Sequence, residues 1–241
     1  MKFEQQLRNL AGVNPLAYRV WFSFYRYRKS FKPTLPSAGD CLYLDGYPRS
    51  GNTYFTAAIK RIFDDVHFAN HLHVVAPIKI ALRRRVPTFL LMRNPEEAIS
   101  SFFLHLKDPR SSSSKSGWND NELCHALATS WLLYYTNVSK LKENVHLISA
   151  DAAFKKPEVA VKRIVEFSRL PDISDLDAKF SSFHQYFKKH DSSKAQGSTS
   201  FPDASREQQK EKARKLVRAC HLLEQCRSMH NTLMAESIVD G

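Results

Sequence analysis

The chain has 241 residues, of which 43% are hydrophobic, so it can bury one substantial core, and one domain is favoured over two. Its formal net charge of +12 indicates an anionic partner, which leaves a nucleotide, a polyanion, nucleic acid or a lipid surface open. No apolar run approaches the length of a membrane-spanning helix, and the first residues lack an apolar leader, so a soluble protein is expected.

The four cysteines, Cys41, Cys124, Cys220 and Cys226, include no C-x-x-C pair, and two of them lie in apolar runs that are typical of a core. Reduced thiols in a cytoplasm are the simplest interpretation of this pattern. The sequence therefore predicts a cytoplasmic protein without disulfides.

Residues 1–39 differ in composition from the rest of the chain and are predicted to be an N-terminal extension of a domain that covers residues 40–241. Aromatic and basic side chains interleave there: Tyr18, Trp21, Phe22, Phe24, Tyr25, Tyr27 and Phe31 with Arg19, Arg26, Arg28 and Lys29. Such a segment can bind single-stranded nucleic acid or lie on an anionic membrane. We favour a third interpretation, a helix whose aromatic face packs on the domain, followed by a proline-containing linker.

The stretch from Cys41 to Phe55 predicts a strand, a tight turn and the start of a helix that runs to about Phe63. Free N–H groups at a helix N-terminus favour a bound phosphate or sulfate. Gly46, Gly51 and Thr53 match the spacing of a Walker A loop, but Asn52 stands where that loop has its lysine. The loss of this lysine argues against ordinary ATP or GTP chemistry.

The block Tyr47-Pro-Arg-Ser-Gly-Asn-Thr53 resembles the 5′-phosphosulfate loop of sulfotransferases that use 3′-phosphoadenosine 5′-phosphosulfate (PAPS), written P-K-S-G-T/N-T-W. Arg49 replaces the usual lysine and Tyr54 the usual tryptophan. The resemblance implies that Arg49 offsets charge on the leaving group and that Tyr54 stacks on adenine. It also implies that the donor is bound by this whole loop: Arg49, Ser50, Gly51, Asn52, Thr53 and Tyr54.

Residues 66–72 alternate like a strand that ends in histidines. The segment Ala69-Asn-His-Leu72 partly resembles the K-T-H-L-P element of cytosolic sulfotransferases, in which the histidine removes the acceptor proton. The resemblance implies that His71 is the general base, with His73 as its competitor, while Ala69 replaces the family lysine. A histidine suits this role because its pKa lies near neutrality.

Thr88 to Met92 is a continuous apolar run that predicts a buried parallel strand. Asn94 and Pro95 are typical of the N-cap and the first residue of a helix. Arg93 at the strand end and Ser101 eight residues later resemble the 3′-phosphate element of the same family, R-N-P-x-x-x-x-x-S. The resemblance implies that Arg93 and Ser101 bind the 3′-phosphate of PAPS.

The remaining chain predicts a loop over residues 108–119, a long helix after Asn119, a strand over residues 145–149 and a helix from Pro157. Residues 149–152 depart from the Y-E-D-L sequence that sulfotransferases carry after this strand. The resemblance implies that Lys194 and Gly197 are the counterparts of the family's R-K-G element, which closes over the 3′-phosphate. A final charged helix is predicted from Ser205 to about residue 227, with frayed residues beyond it.

The element order predicts an α/β fold with three α/β/α layers and a central parallel sheet. The resemblance implies that this is the P-loop NTPase-like sulfotransferase fold. Arg49, His71 and Arg93 would share the carboxyl edge of that sheet, where ligands bind. The resemblance implies sulfonate transfer from PAPS to a hydroxyl or amine of a small-molecule or glycan acceptor, without a metal or a nucleic-acid partner. The acceptor pocket is expected to be built from loops near residues 74–85 and 108–121. A P-loop kinase or NTPase, and a non-catalytic polyanion- or nucleic-acid-binding protein, are the alternatives.

Overall fold

A parallel sheet forms the centre of the protein in a computed structural model that describes residues 12–27, 34–64, 66–108, 117–193 and 204–239. Its strands lie in the order β2-β1-β3-β4 within this part of the chain, and every neighbouring pair is parallel. The strands are β1 (Tyr43–Gly46), β2 (Ala69–Asn70), β3 (Thr88–Met92) and β4 (His146–Ser149). The chain order and the sheet order differ, so crossover connections join the strands.

Helices cover both faces of this sheet. They are α1 (Pro15–Tyr27), α2 (Asn52–Ile62), α3 (Val75–Arg83), α4 (Pro95–Lys107), α5 (Asp120–Ser139), α6 (Ala150–Lys155), α7 (Pro157–Phe167), α8 (Leu176–Ser193), α9 (Ala204–Arg218) and α10 (Leu223–Met234). A short 3₁₀-helix, Lys142–Asn144, precedes β4.

The sheet separates two apolar cores because successive side chains of a strand point to opposite faces. Tyr43 of β1 and Leu90 of β3 belong to one core, which α1, α3, α4, α5, α9 and α10 help to build. Leu44 and Leu91 belong to the other core, together with residues of α2, α6, α7 and α8. The predicted three-layer α/β/α architecture with a central parallel sheet is confirmed.

The elements around the two phosphate motifs lie where the sequence predicts them. The strand β3 has the predicted bounds. Asn94 caps α4 by accepting a hydrogen bond from the Glu96 N–H at 3.0 Å, and Pro95 is the first helical residue. The helix α2 begins at Asn52, one residue before the predicted start.

Residues 74–85, which the sequence analysis treated as a loop, contain the helix α3 instead. This helix has no side-chain cap at Val74, so the usual signal for a helix start is absent. It forms because Ile78 and Ala81 bury their side chains in the first core, and because proline is tolerated at position 77 in the first turn.

The C-terminal region also differs from its prediction. The single helix expected from Ser205 to about residue 227 is two helices, α9 and α10, separated at residues 219–222. The residues expected to fray continue α10 to Met234, and Ser237 then pairs with Leu147 of β4 as a parallel bridge. Burial of Leu223, Cys226 and Leu233 in the first core explains why this end of the chain is ordered.

The helix α1 packs against α3 through its aromatic side. Tyr18 and Phe22 are buried and contact each other at 5.7 Å between ring centroids. For these two residues the favoured prediction, an aromatic face packed on the domain, is confirmed, whereas residues 28–33 and the side chains of residues 24–27 lie outside the described part. None of the described helices is long and apolar enough to span a membrane.

We expect Gly46→Ala to destabilise the fold, because β1 and β3 approach each other closely at this residue. A Cβ atom on Gly46 would lie 2.2 Å from the carbonyl oxygen of Leu91, a backbone atom that cannot move without disturbing the sheet. The free energy of unfolding in urea should fall by about 1–3 kcal/mol or more. Gly117→Ala is the control, since a Cβ there meets no atom within 4 Å. Equal stability of the two variants would contradict the close approach.

Candidate functional site

The loop between β1 and α2 has the geometry of an anion-binding site. Arg49 and the N-cap Gly51 adopt left-handed backbone conformations, with φ of 70° and 96°. No side chain caps α2, so the first-turn N–H groups have no side-chain acceptor and point out of the helix. A helix N-terminus of this kind favours a phosphate or sulfate oxygen.

The two motifs that the sequence predicted separately meet in this loop. The Arg49 Nε donates a hydrogen bond to the Ser101 Oγ at 3.2 Å, which joins the first motif to the helix α4. The Arg93 Nη1 donates to the Arg49 carbonyl oxygen at 3.2 Å, which joins the loop to the end of β3. Arg49, Arg93 and Ser101 therefore surround one point at the carboxyl edge of the sheet.

One nitrogen of Arg93 makes no hydrogen bond to a described residue. Its Nη2 donates to Glu97 at 3.3 Å, but its buried Nε has no hydrogen-bond partner in the described part of the chain. This nitrogen forms an ion pair with the Asp151 carboxylate at 3.8 Å, and that carboxylate accepts a hydrogen bond from the Asn94 N–H. A buried donor without a partner is costly, so an acceptor supplied by a ligand would stabilise it.

The helix α9 adds two cations that the sequence analysis did not predict. Lys210 contacts the Glu97 Oε2, the oxygen that also faces Arg93, at 2.7 Å, and Arg214 contacts the Oε1 at 2.6 Å. Burial alone would raise the pKa of Glu97, but hydrogen bonds from Arg214 and Lys210 outweigh it and lower this pKa to about 2. No sequence signal links these residues, because α9 lies more than a hundred positions after Glu97.

A buried carboxylate, Asp45, lies at the end of β1 behind the loop. It accepts hydrogen bonds from the Tyr43 hydroxyl at 2.5 Å and from the N–H groups of Gly46, Leu72 and His73 at 2.9, 3.1 and 2.8 Å. Burial opposes its ionisation, but the charge of His73 and these hydrogen bonds hold its pKa below the usual value. The sequence analysis missed Asp45, although a single acidic residue in a buried apolar strand was an available signal.

His73 uses its Nδ1 within the protein. This nitrogen lies 3.0 Å from the Asp45 Oδ1 and 2.8 Å from the Gly46 carbonyl oxygen, which accepts a hydrogen bond from it. Since a neutral imidazole carries one proton, protonation at Nδ1 leaves Nε2 as the basic nitrogen. Asp45 and His73 thus form a dyad with the arrangement of an oriented general base.

His71, the predicted base, lies on the other side of the same turn, and both of its ring nitrogens have partners. The Nδ1 lies 2.5 Å from the Asn70 Oδ1, and the Nε2 lies 3.3 Å from the Thr53 Oγ1. Burial, followed by the nearby His73, lowers the pKa of His71 to about 4. Both histidines adopt left-handed backbone conformations, with φ of 57° and 53°, so the turn between them is strained.

Tyr54, expected to stack on adenine, is buried in the second core. Its hydroxyl lies 3.0 Å from the His184 Nδ1, and its ring packs edge-on against Phe183 and Phe187 of α8. Phe154 of α6 contacts both this ring and the place where a Cβ of Gly51 would be. Stacking of Tyr54 on adenine stays a prediction, and Phe154, 42% exposed beside the loop, is a second aromatic surface there.

A cavity of about 130 Å³ opens beside His73. The loop residues Tyr47 and Pro48 form one wall, and Ser130, Leu133 and Asn137 of α5 form another. The full lining is Gly12, Val13, Tyr47, Pro48, His73, Val74, Val75, Phe102, Ser130, Leu133, Tyr134 and Asn137. Of the two segments expected to form an acceptor pocket, residues 74–85 contribute Val74 and Val75.

Several predicted elements lie outside the described residues. Lys194 and Gly197, the expected counterparts of the R-K-G element, are among them, as is most of the loop over residues 108–119. Within the described ranges, no group of three or more His, Cys, Asp or Glu side chains is placed to hold a metal ion.

The sheet order, the helices on both faces and the tight loop between β1 and α2 define an α/β fold of the sulfotransferase type. The chain is similar to mouse sulfotransferase SULT7A1 in its crystal structure complexed with PAP, with 16% sequence identity and a TM-score of 0.52. The similarity covers 70% of this chain and 69% of that chain. At this identity the likeness shows the fold. No protein-family model and no curated protein sequence matches the chain.

We expect the Glu97→Gln variant to lose less of its free energy of unfolding in acid than the wild type does. A carboxylate whose pKa falls from 4.5 to about 2 on folding stabilises the native chain above pH 4.5, and this contribution disappears as the pH falls through about 2. The shift corresponds to about 3 kcal/mol. Urea unfolding at neutral pH and near pH 3 should show a smaller difference for Glu97→Gln than for the wild type.

Glu143→Gln is the control for this prediction, because Glu143 is exposed on the 3₁₀-helix. This variant should retain the acid dependence of the wild type. Parallel curves for the wild type and Glu97→Gln would show that the contacts with Lys210 and Arg214 do not stabilise the ionised carboxylate.

Proposed function

We propose that the protein is a sulfotransferase that moves a sulfonate group from PAPS to a hydroxyl or amine of a small-molecule or glycan acceptor. The observation that carries this proposal is the contact between the two phosphate motifs, in which Arg49 reaches Ser101 and Arg93 reaches the Arg49 carbonyl. A donor with phosphate groups at both ends needs two anion sites at a fixed separation, and two adjoining motifs provide them. The four unpaired cysteines support a cytoplasmic location.

The residues present fit such a donor. The uncapped N-terminus of α2 suits the 5′-phosphosulfate, and Arg93 and Ser101 suit the 3′-phosphate. The buried Arg93 Nε supports this fit, because it has an ion pair with Asp151 at 3.8 Å but no hydrogen bond within the described residues, and a phosphate oxygen would complete its hydrogen bonding. When bound, PAPS would supply an activated sulfonate with a phosphate leaving group.

Two residues would carry the chemistry on the protein side. Arg49 adjoins the α2 N-terminus, so its guanidinium can balance charge that develops on the leaving oxygen. His73 can accept the acceptor's proton at Nε2, while Asp45 holds its Nδ1 and stabilises the protonated ring. The geometry supports His73 over His71 as the base, because Thr53 and Asn70 engage both nitrogens of His71.

The cavity beside His73 is the acceptor site in this proposal. Its walls are mainly apolar, and Ser130 and Asn137 of α5 are polar groups among them. Such a lining favours an acceptor whose reacting group is attached to an apolar body. Ser130 and Asn137 would orient that group by hydrogen bonds.

The alternatives have less support. Asn52 donates its amide toward the Gly46 carbonyl at 3.5 Å, so it stays behind the loop where a Walker lysine would reach forward to phosphates. A general polyanion binder would account for the +12 charge, but it would not require a histidine oriented by a buried carboxylate beside a cavity.

Thermal unfolding with nucleotides tests the proposal. PAP, the expected product, at about one hundred times its dissociation constant should raise the Tm by roughly 5–10 °C. ATP with Mg²⁺ at the same concentration should have a much smaller effect, because it lacks the 3′-phosphate that Arg93 and Ser101 would bind. Ser101→Ala should reduce the PAP effect. An unchanged Tm with PAP would sink the proposal.

Two histidine variants should separate the candidate bases. His73→Gln should lower kcat by about 10²–10⁴-fold with the effect of PAP on the Tm retained, because the residue acts on the acceptor and not on the donor. His71→Gln should lower kcat by less than about tenfold. The retained PAP effect shows that each variant is folded. A reversed order of the two effects would return the role of base to His71.

A further inference from the structure

One face of α1 and the turn before it expose aliphatic side chains to solvent. Val13, Leu16 and Val20 are 38%, 73% and 58% exposed, and their spacing of three and four residues places them on one side of the helix. We call these three residues the Leu16 face. The opposite side of α1 is the one that buries Tyr18 and Phe22, so both sides of the helix are apolar and only one has a described partner.

The Leu16 face is held at the mouth of the acceptor cavity. Val13 lines that cavity, and the Lys79 side chain of α3 donates a hydrogen bond to the Val13 carbonyl at 3.0 Å. Leu133 of α5, 55% exposed, lines the same cavity. Exposed aliphatic surface therefore continues from α1 across the cavity mouth onto a second helix.

Basic residues accompany this apolar surface, in the sequence around it and at two described positions. Residues 1–39 contain seven Lys and Arg residues against one Glu, a net charge of +6, which is half of the +12 of the whole chain. Arg19 is exposed on α1, and Arg83 is exposed on α3, against which α1 packs. Exposed aliphatic groups beside basic ones are the composition of a helix that lies in a membrane interface.

We propose that the Leu16 face and Leu133 form a docking surface for an anionic lipid membrane, with the cavity mouth turned toward the lipid. Nucleic acid fits this surface less well. Single strands bind through stacking on aromatic rings, and the described aromatic side chains of α1 are buried or half-buried, whereas the exposed ones are aliphatic. The aliphatic side chains enter the acyl boundary, and Arg19 stays at the level of the lipid phosphates.

The binding predicted for such a surface is reversible and depends on salt. Only a few aliphatic side chains enter the lipid, so attraction between basic residues and anionic headgroups has to contribute, and each basic residue near the surface adds roughly fivefold to the affinity. Raising the ionic strength shortens the range of this attraction. The protein should therefore bind at low salt and dissociate at high salt.

Sedimentation with vesicles tests the docking surface. The full chain should co-sediment with phosphatidylcholine vesicles that contain phosphatidylserine, and much less with phosphatidylcholine alone. Leu16→Ser, Val20→Ser and Leu133→Ser should each lower the affinity for the anionic vesicles, by roughly fivefold or more. Val159→Ser is the matched control, because Val159 is 38% exposed on α7 and belongs neither to the Leu16 face nor to the cavity mouth. Its affinity should equal that of the wild type.

Several outcomes would overturn the inference: no binding of the wild type to anionic vesicles, an equal loss for Val159→Ser, or binding that ignores both salt and phosphatidylserine. A change in oligomeric state for Leu16→Ser on gel filtration, without a change in vesicle binding, would assign the face to contact between two copies of the chain. The Tm in the presence of PAP is measured in parallel. Vesicle binding without a PAP effect would retain the docking surface and reject the sulfotransferase proposal. A PAP effect without vesicle binding would retain the sulfotransferase proposal and reject the docking surface.

Discussion

The arrangement of the site depends on one buried carboxylate, that of Asp45. An ionised carboxylate removed from water is costly by several kcal/mol unless hydrogen bonds and charge satisfy it, and Asp45 has no exposed surface. It is satisfied from β1 by the Tyr43 hydroxyl and the Gly46 N–H, and from the β2–α3 turn by the N–H groups of Leu72 and His73. The same group therefore fixes the end of the central strand to the turn that carries both histidines.

The strain in that turn follows from the hydrogen bonds that Asp45 needs. Two N–H groups must point at one carboxylate, and the chain achieves this with left-handed conformations at His71 and His73, which side-chain-bearing residues adopt at a cost. This conformation places the ring of His73 against Asp45 and the Gly46 carbonyl, at the edge of the cavity. The strained backbone thus carries both histidines that are candidate bases in the proposed function.

The sequence predicts those features of the fold that depend on residues close together in the chain. The bounds of β3, the cap at Asn94 and the start of α2 all depend on residues within one or two turns, and they were predicted almost to the residue. The prediction failed for α3, which has no capping side chain and forms because Ile78 and Ala81 find an apolar core. Asp45 was missed for a related reason, since its partners become neighbours only when β2 pairs with β1.

The charges of α9 help to hold the Arg93 guanidinium in one orientation. Arg214 contacts Glu207 and Glu211 as well as Glu97, so its charge is already balanced and its contribution is to hold Glu97 in place. Glu97 in turn holds the Arg93 Nη2, while the Arg49 carbonyl holds Nη1. With both terminal nitrogens fixed, the orientation of Nε is set before any ligand arrives, and an anion bound there pays little for rearrangement of the guanidinium.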